Sequence, residues 1–468
     1  MSKNSRRPKQ RISIESLVSC VAALFVCLVF GGGTRTFEIG DVIAEALCLP
    51  VIVVTALRMR DTPLGAMQMS ALAIAALMFL VPLLQLIPLP PDIWTKLPGR
   101  AFVAEAFRIS EAPLPWLGIS LTPSATRQSA FSLLAPFAVL LAASQLGSFE
   151  RRLALGALIG FGVASAMLGL LQIAAGAGSP LRIYYPEDAD AVGMFANRNH
   201  YAALLYVCVL IATSWWLAVL LQLRNAEASR RRSQWALLWL QATAIGILLL
   251  GIVISQSRAG LLLAMAAILL GLASVAPNAL GGRTTKPVAL GALVILVLLG
   301  ASLDYALYDI WARITSAVGV GERTKIAAST KVLIWETFPY GSGFGSFVPF
   351  YAAHETVATS IGAAVNRAHD DFLEWTLEGG IMSIVVIAAG LAWLAGAVTR
   401  AWGSADNETV VDGSLIRAVT FAPFLLLGHS LIDYPLRTVA LMAVAALAIG
   451  VMLGANALRV GATGVRDI

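Results

Sequence analysis

Long apolar stretches recur along the whole chain and are separated by short polar or basic segments. A helix needs about 20 mostly apolar residues to cross the ~30 Å hydrocarbon core of a bilayer. Twelve stretches have this character: 14–31, 41–57, 67–87, 128–146, 153–175, 200–222, 235–255, 259–276, 287–303, 379–398, 415–432 and 438–457. The pattern predicts an all-α polytopic membrane protein with about twelve spans.

The composition excludes an ordinary soluble domain. Of 468 residues, 58% are hydrophobic and 13% charged, and the mean hydropathy is +0.79, so a soluble fold would expose apolar surface. All four cysteines lie within predicted spans, where neither a disulfide framework nor a zinc site is expected.

The basic residues predict the orientation, because short basic loops are retained on the cytoplasmic side. Lysines and arginines crowd the N-terminal segment 1–13 and most even-numbered loops, which predicts cytoplasmic tails at 1–13 and 458–468 around one membrane domain, 14–457. Two long loops, 88–127 and 304–371, then lie outside, the second between spans nine and ten. The net charge of +6 follows mostly from topology, so nucleic acid is not an expected partner.

Polar motifs gather at the predicted outer face, where all four histidines also fall. Four stretches stand out: GMFANRNHYAALL (193–205), SQSRAG (255–260), NRAHDDFLEWTLEGG (366–380) and HSLIDYPLR (429–437). Polar residues in or beside spans are costly and usually functional. Helix capping and contacts with lipid headgroups are the structural alternatives for each stretch.

Together these motifs resemble the O-antigen ligase and polymerase superfamily of bacterial membrane glycosyltransferases, over residues 190–440. The family order of F-x-N-R-N-H, S-R-x-G, a large periplasmic loop and H-[ND]-x-x-L-E is matched by FANRNH, SRAG, the 304–371 loop and HDDFLE. The resemblance implies transfer of a glycan from a polyprenyl diphosphate carrier to lipid A core or to a growing glycan. It also implies the inner membrane as location, a periplasmic active site, membrane lipids as neighbours and no cofactor.

The same resemblance implies three catalytic residues. His369 is expected to take the proton of the acceptor hydroxyl, since a neutral imidazole is a base near pH 7. Arg258 and Arg323 are expected to stabilise the leaving diphosphate, whose charge matches a guanidinium fork. The wider family often has an arginine four residues before a tryptophan. Lys331 has that position before Trp335 and is therefore the alternative to Arg323. The expected reaction is a metal-independent inverting displacement.

Asp370 and Glu374 are expected to orient the His369 ring. Further residues are expected to bind substrate, these two included: Asn197, Arg198, Asn199, His200, Lys331, Asp370, Glu374, His429, Asp433 and Arg437. Structural alternatives stay open for several of them. His369 and Asp370 could serve only as a helix start, and His429 and Asp433 could form a helix–helix hydrogen bond. The GSGFGS segment (341–346) is either a phosphate-binding turn or a simple turn, and the pair Asp370 and Asp371 is an alternative Mg²⁺ site.

A transporter or flippase for lipid-linked glycans is the rival function. Such a protein places its polar residues near the bilayer midplane on broken helices, often within repeated halves. Here the polar motifs lie at one interface and no repeat is visible, which favours an enzyme. Ligase and polymerase share the donor, so the sequence does not separate them.

Overall fold

The computed structural model describes residues 14–34, 38–60, 64–184, 190–223, 228–280, 320–356, 360–361 and 364–463. These residues form helices α1 Ile14–Phe30, α2 Ile39–Met59, α3 Ala66–Leu84, α4 Pro91–Trp94, α5 Ala101–Ile109, α6 Pro123–Phe131, α7 Leu134–Ala143, α8 Ser148–Ala175, α9 Arg198–Leu223, α10 Ala228–Ile254, α11 Arg258–Leu280, α12 Val320–Thr337, α13 Phe347–His354, α14 Asp371–Ala405, α15 Val410–His429 and α16 Val439–Thr463. A 3₁₀ turn covers Pro435–Arg437. The described chain contains no β-strand, which confirms the all-α prediction.

Nine candidate membrane spans occur among the described residues. They are α2, α3, the α6–α7 pair, α8, α9, α10, α11, α14 and α15, while α1 and the described apolar part of α16 are shorter. Each of these eleven elements overlaps one predicted span. The predicted span 287–303 lies outside the described residues, so the total of twelve and the placement of the large loop stay predictions.

The helix α9 lies at the centre of the bundle. Of its 26 residues, 19 are buried, and the helix packs against α8, α10, α11 and α15. Small polar groups join the central helices: the Ser214 hydroxyl is hydrogen bonded to the Ser274 hydroxyl at 2.7 Å and donates to the Ser414 carbonyl at 3.1 Å. This central position holds the start of α9, which carries the FANRNH motif, in a fixed place.

The helix α14 begins eight residues before the predicted span 379–398. Its first turns carry buried carboxylates, which an apolarity pattern does not recognise as helix. Gly380 interrupts the helix with φ 60° and ψ −143°, a conformation open essentially only to glycine. A Cβ atom there would lie 2.1 Å from the Pro339 carbonyl oxygen. The predicted span thus begins at a kink inside one longer helix.

The segments between spans pack on the start of α14. Gln85, just after α3, donates to the Glu378 carbonyl at 2.8 Å and accepts from the Phe344 backbone N–H at 3.1 Å. Arg100 is buried and donates to the Gly341 carbonyl at 2.9 Å. The 85–122 segment therefore supports the 338–347 loop and, through it, the helix that follows His369.

Candidate active site

His369 lies two residues before α14, in a left-handed backbone conformation with φ 53°. The turn after it is a helix N-cap, in which the Asp370 carboxylate accepts from the Leu373 N–H at 3.0 Å. Burial raises the pKa of Asp370, and the helix N–H groups oppose that rise. The capping alternative therefore accounts for Asp370 but not for the His369 ring, which has other partners.

The His369 ring pairs with Asp433 from the HSLIDYPLR motif. The Nδ1 and Oδ1 atoms are 3.4 Å apart, with the ring 22% exposed and the carboxylate 1% exposed. Asp433 also accepts from the Asn199 side-chain amide and, at 3.0 Å, from the Tyr434 N–H. Burial alone would raise the pKa of Asp433, but the His369 hydrogen bond and the surrounding histidines lower it below its usual value.

Tyr434 lies between two histidine rings. Its ring meets His200 edge to face at 4.8 Å between centroids, and His369 at 5.2 Å. Its hydroxyl accepts from the side-chain amides of Asn197 at 3.3 Å and Asn366 at 3.4 Å. Burial raises the pKa of Tyr434 to about 12, so the phenol stays protonated at neutral pH and is no candidate base.

The SQSRAG turn joins the same cluster through Asn199. Ser257 donates from its hydroxyl to Asn199 Oδ1 at 2.8 Å, and Asn199 in turn donates to Asp433. Gln256 has a left-handed φ of 54°, which lets α10 and α11 connect in a tight hairpin. Arg258 follows immediately as the half-buried first residue of α11.

Arg323, near the start of α12, contacts the same cluster. Its Nη1 donates to the Ile432 carbonyl at 2.9 Å, one residue before Asp433, and its side chain is otherwise exposed. Lys331 lies two turns further along α12, is also exposed, and its charge acts on Asp370. The structure thus brings Arg323 to the Asp433 segment that holds His369.

Several of the predicted substrate contacts are buried or have partners inside the protein. His200 is wholly buried and has no hydrogen-bond partner among the described residues. His429 is also wholly buried and faces the Tyr206 hydroxyl at 3.2 Å, which is the helix–helix alternative. Arg198 forms an ion pair with Asp190 at 2.8 Å. A direct contact between substrate and either histidine finds no support in these positions.

Glu374 and Arg437 are likewise engaged inside the protein. Glu374 is buried and accepts from Arg367 at 2.9 Å and from the Ala368 N–H at 3.0 Å. Arg437 contacts Glu378 at 2.7 Å. The expectation that Asp370 or Glu374 orients the catalytic ring is therefore corrected: the observed partner of the ring is Asp433.

The glycine-rich loop uses its backbone N–H groups on α14. Ser342 N–H donates to the Leu377 carbonyl and Gly343 N–H to the Glu378 carbonyl, each at 2.9 Å. The Ile381 N–H donates back to the Pro339 carbonyl at 2.9 Å, across the kink. Because these N–H groups already donate to α14, the loop stabilises that helix. The turn alternative therefore explains the glycine-rich loop better than phosphate binding does.

The two neighbouring aspartates do not form a metal site. Asp370 caps α14, whereas Asp371 is buried and accepts from the Ser430 hydroxyl at 2.7 Å and the Leu436 N–H at 3.2 Å. No group of three or more histidine, cysteine, aspartate or glutamate side chains within the described part of the chain has an arrangement that could hold a metal ion.

Sequence reasoning missed the pairing that organises the site. The sequence predicts Asp433 as a glycan contact or as a helix–helix hydrogen-bond partner, and it does not single out Tyr434, Ser257 or Asn366. The available signal was that Asp433 belongs to a polar motif at the same predicted interface as His369. Nothing in the spacing of 64 residues between them indicates direct contact.

In a comparison with known protein families, a model described as O-antigen ligase matches residues 243–388. This segment contains SQSRAG, Arg323, the glycine-rich loop and HDDFLE, but neither FANRNH nor HSLIDYPLR. Curated proteins yield no match to the chain. The resemblance drawn from the motifs is therefore confirmed: over residues 243–388 the chain matches the O-antigen ligase family.

Proposed function

We propose that the protein is a membrane glycosyltransferase of the O-antigen ligase or polymerase type. Its donor is a glycan on a polyprenyl diphosphate, its acceptor a sugar hydroxyl of lipid A core or of a growing polysaccharide, and its site faces the periplasm from the inner membrane. The observation that carries the proposal is the pairing of His369 with the buried Asp433, beside the guanidinium of Arg323.

Asp433 determines which nitrogen of His369 acts as base. Its ionised carboxylate only accepts hydrogen bonds, so the proton of the neutral ring is assigned to Nδ1. The lone pair on Nε2 is then available to a hydroxyl. When the ring takes up a proton, the carboxylate stabilises the imidazolium that forms, as an orienting acid does in a catalytic triad.

The transfer itself is a single displacement. The acceptor oxygen attacks the anomeric carbon, its proton passes to His369 Nε2, and the bond from that carbon to the diphosphate oxygen breaks with inversion. The diphosphate leaves with the bonding electrons. Arg258 and Arg323 are placed in the proposal to stabilise the negative charge that grows on it, because fixed guanidinium groups match phosphate oxygens in geometry and charge.

Asn197, Asn199 and Lys331 complete the proposed site. The two asparagines are partly exposed next to the His369–Asp433 pair, and Lys331 is exposed beside Asp370. These groups are suited to sugar hydroxyls and phosphate oxygens. The cluster lies at the ends of the long helices and not near their middles, where a transporter would place its binding site, and this supports an enzyme over the rival transporter.

Transfer can be tested with the purified protein in lipid nanodiscs, a polyprenyl-diphosphate-linked glycan, and two acceptors offered separately: lipid A core and a second lipid-linked glycan. We expect labelled glycan to appear on one of them. His369→Ala should lower the rate by about 10²–10⁴-fold, the usual contribution of a general base.

His354→Ala is the matched control. His354 is 21% exposed, against 22% for His369, and its ring contacts the Phe350 carbonyl at 2.8 Å, away from Asp433. We expect it to keep the wild-type rate. Absence of transfer to either acceptor would overturn the proposed function, and transfer by His369→Ala at the wild-type rate would overturn the assignment of the base.

A further inference from the structure

Three buried carboxylates form a stripe along the first turns of α14. Asp371, Glu374 and Glu378 are spaced three and four residues apart, so they share one face of the helix, and each has no exposed surface. Two arginines face them, Arg367 from the segment before His369 and Arg437 from the segment after Asp433. Burying five charged groups is costly unless they are paired with good geometry, so these five side chains must keep their relative positions.

Arg437 spans the whole stripe. Its guanidinium lies 2.7 Å from Glu378, 3.5 Å from Glu374 and 3.6 Å from Asp371, and its planar group lies over the Trp375 ring at 5.9 Å. Only an arginine provides a planar fork that can engage several carboxylates at once. The contacts of Arg437 therefore fix its segment against α14.

The segment that contains Asp433 is attached to α14 on both sides of that residue. Before it, Ser430 donates its hydroxyl to Asp371 at 2.7 Å and accepts from the Asp371 N–H at 2.9 Å. After it come the Leu436 N–H, 3.2 Å from Asp371, and Arg437. Asp433 thus lies in a short segment, 430–437, that is attached to α14 at both of its ends.

The residues before His369 are attached to the same stripe. Glu374 accepts from the Ala368 N–H at 3.0 Å and pairs with Arg367 at 2.9 Å. His369 itself has the left-handed φ of 53°, which a non-glycine residue adopts only where its surroundings hold it. Both members of the His369–Asp433 pair are consequently positioned by one set of carboxylates.

We infer that Arg437 is a positioning residue for the proposed transfer, holding Asp433 against His369 through the carboxylates Asp371, Glu374 and Glu378. The inference rests on the proposed function. It replaces the substrate contact expected for Arg437 from the sequence. Because the ring and carboxylate are already 3.4 Å apart, release of the Asp433 segment would weaken the pair that sets the ring for catalysis.

The test measures kcat and the donor KM for Arg437→Lys and Arg437→Gln in nanodiscs. Lysine keeps the charge but cannot engage three carboxylates, whereas glutamine also removes one of the two positive charges that face them. A misplacement of about 1 Å costs about 100-fold in rate, so we expect kcat to fall about 10-fold for lysine and about 100-fold for glutamine. The donor KM should stay within about twofold of wild type, since the donor arginines are untouched.

A double-variant cycle separates positioning from a purely structural role. With His369→Ala already present, Arg437→Lys should produce no further loss of kcat, because its effect acts through the ring. Arg417→Lys is the matched control: Arg417 is also buried, pairs with Asp406, and lies 12 residues before His429, about 18 Å along α15. It should lower the melting temperature and leave kcat unchanged.

The outcomes distinguish this inference from the proposed function. If His369→Ala abolishes transfer but Arg437→Lys and Arg437→Gln keep kcat within twofold, the positioning role is wrong and the function stands. Equal losses in the wild-type and His369→Ala backgrounds also overturn it. If Arg437→Gln does not accumulate in the membrane, Arg437→Lys and Glu374→Gln, each keeping charged contacts in the stripe, decide the question by the same two criteria.

Discussion

Replacing Asp433 by asparagine is the most direct test of how the His369 ring is prepared. Asparagine has nearly the same shape and keeps one oxygen, so the amide can still accept one of the hydrogen bonds from Asn199 or the Tyr434 N–H. Its NH₂ group can donate to His369 Nδ1, which would move the ring proton to Nε2. The variant therefore removes the charge and favours the tautomer that cannot act as base.

The magnitude follows from the observed separation. A full positive charge on the ring and the carboxylate, 3.4 Å apart, interact by about 5 kcal/mol at an effective dielectric constant of about 20. The ring is 22% exposed, and water screens part of this interaction. We expect a loss of about 2–4 kcal/mol in transition-state stabilisation, equivalent to about 30- to 1,000-fold in kcat.

The assay is single-turnover transfer of labelled glycan from the lipid-linked donor, with wild type and variant at equal protein concentration. Asp412→Asn is the control, because Asp412 is also a buried carboxylate and pairs with Arg152 at 3.0 Å near the other end of α15. It should keep the wild-type rate. A rate for Asp433→Asn within threefold of wild type would refute the view that this carboxylate prepares the ring.

Two further predictions concern charge and backbone. Arg258→Lys and Arg323→Lys should each lower kcat/KM for the diphosphate donor by about 10- to 100-fold, because a point charge replaces a fork; donor titrations within twofold of wild type would contradict the assigned roles. Gly380→Ala should lower the melting temperature, since its Cβ would lie 2.1 Å from the Pro339 carbonyl at φ 60°, whereas Gly390→Ala, with open space around it, should not. Equal melting temperatures for the two variants would count against the strain argument.

The apolar pattern predicts most of the fold because burial in a bilayer requires long uninterrupted stretches. It fails where helix continues through charged residues. The span predicted at 379–398 belongs to the helix Asp371–Ala405, whose first turns carry Asp371, Glu374 and Glu378. These carboxylates are tolerated because arginines from elsewhere in the chain reach them. Arg367 lies just before the helix, but Arg437 is 59 residues from Glu378 in the sequence, so that pairing cannot be read from local periodicity.

The motifs locate the site but do not show which role each residue has in it. His369 and Asp433 were both singled out, yet their contact depends on how α14 and the end of α15 pack. In the sequence, His200 and His429 are candidate site residues just as His369 is, but in the structure both are buried in the bundle. A histidine beside a span is therefore ambiguous until the depth of its ring is known, and the exposed fraction of His369 is what separates it from the other two.

The candidate site extends beyond the segment that matches the family. Residues 243–388 carry His369 and the turn that ends in Arg258. Asp433, which pairs with the ring, and Asn199, which connects that carboxylate to Ser257, both lie outside it. In the proposed reaction, the matched segment supplies the base and the charged groups, while the segment after α15 supplies the carboxylate that orients the base. The two parts are joined at the site by Asn199, at the start of α9, and Asp433, just after α15, so substitution of either residue should alter the rate of transfer without altering any residue of the matched segment.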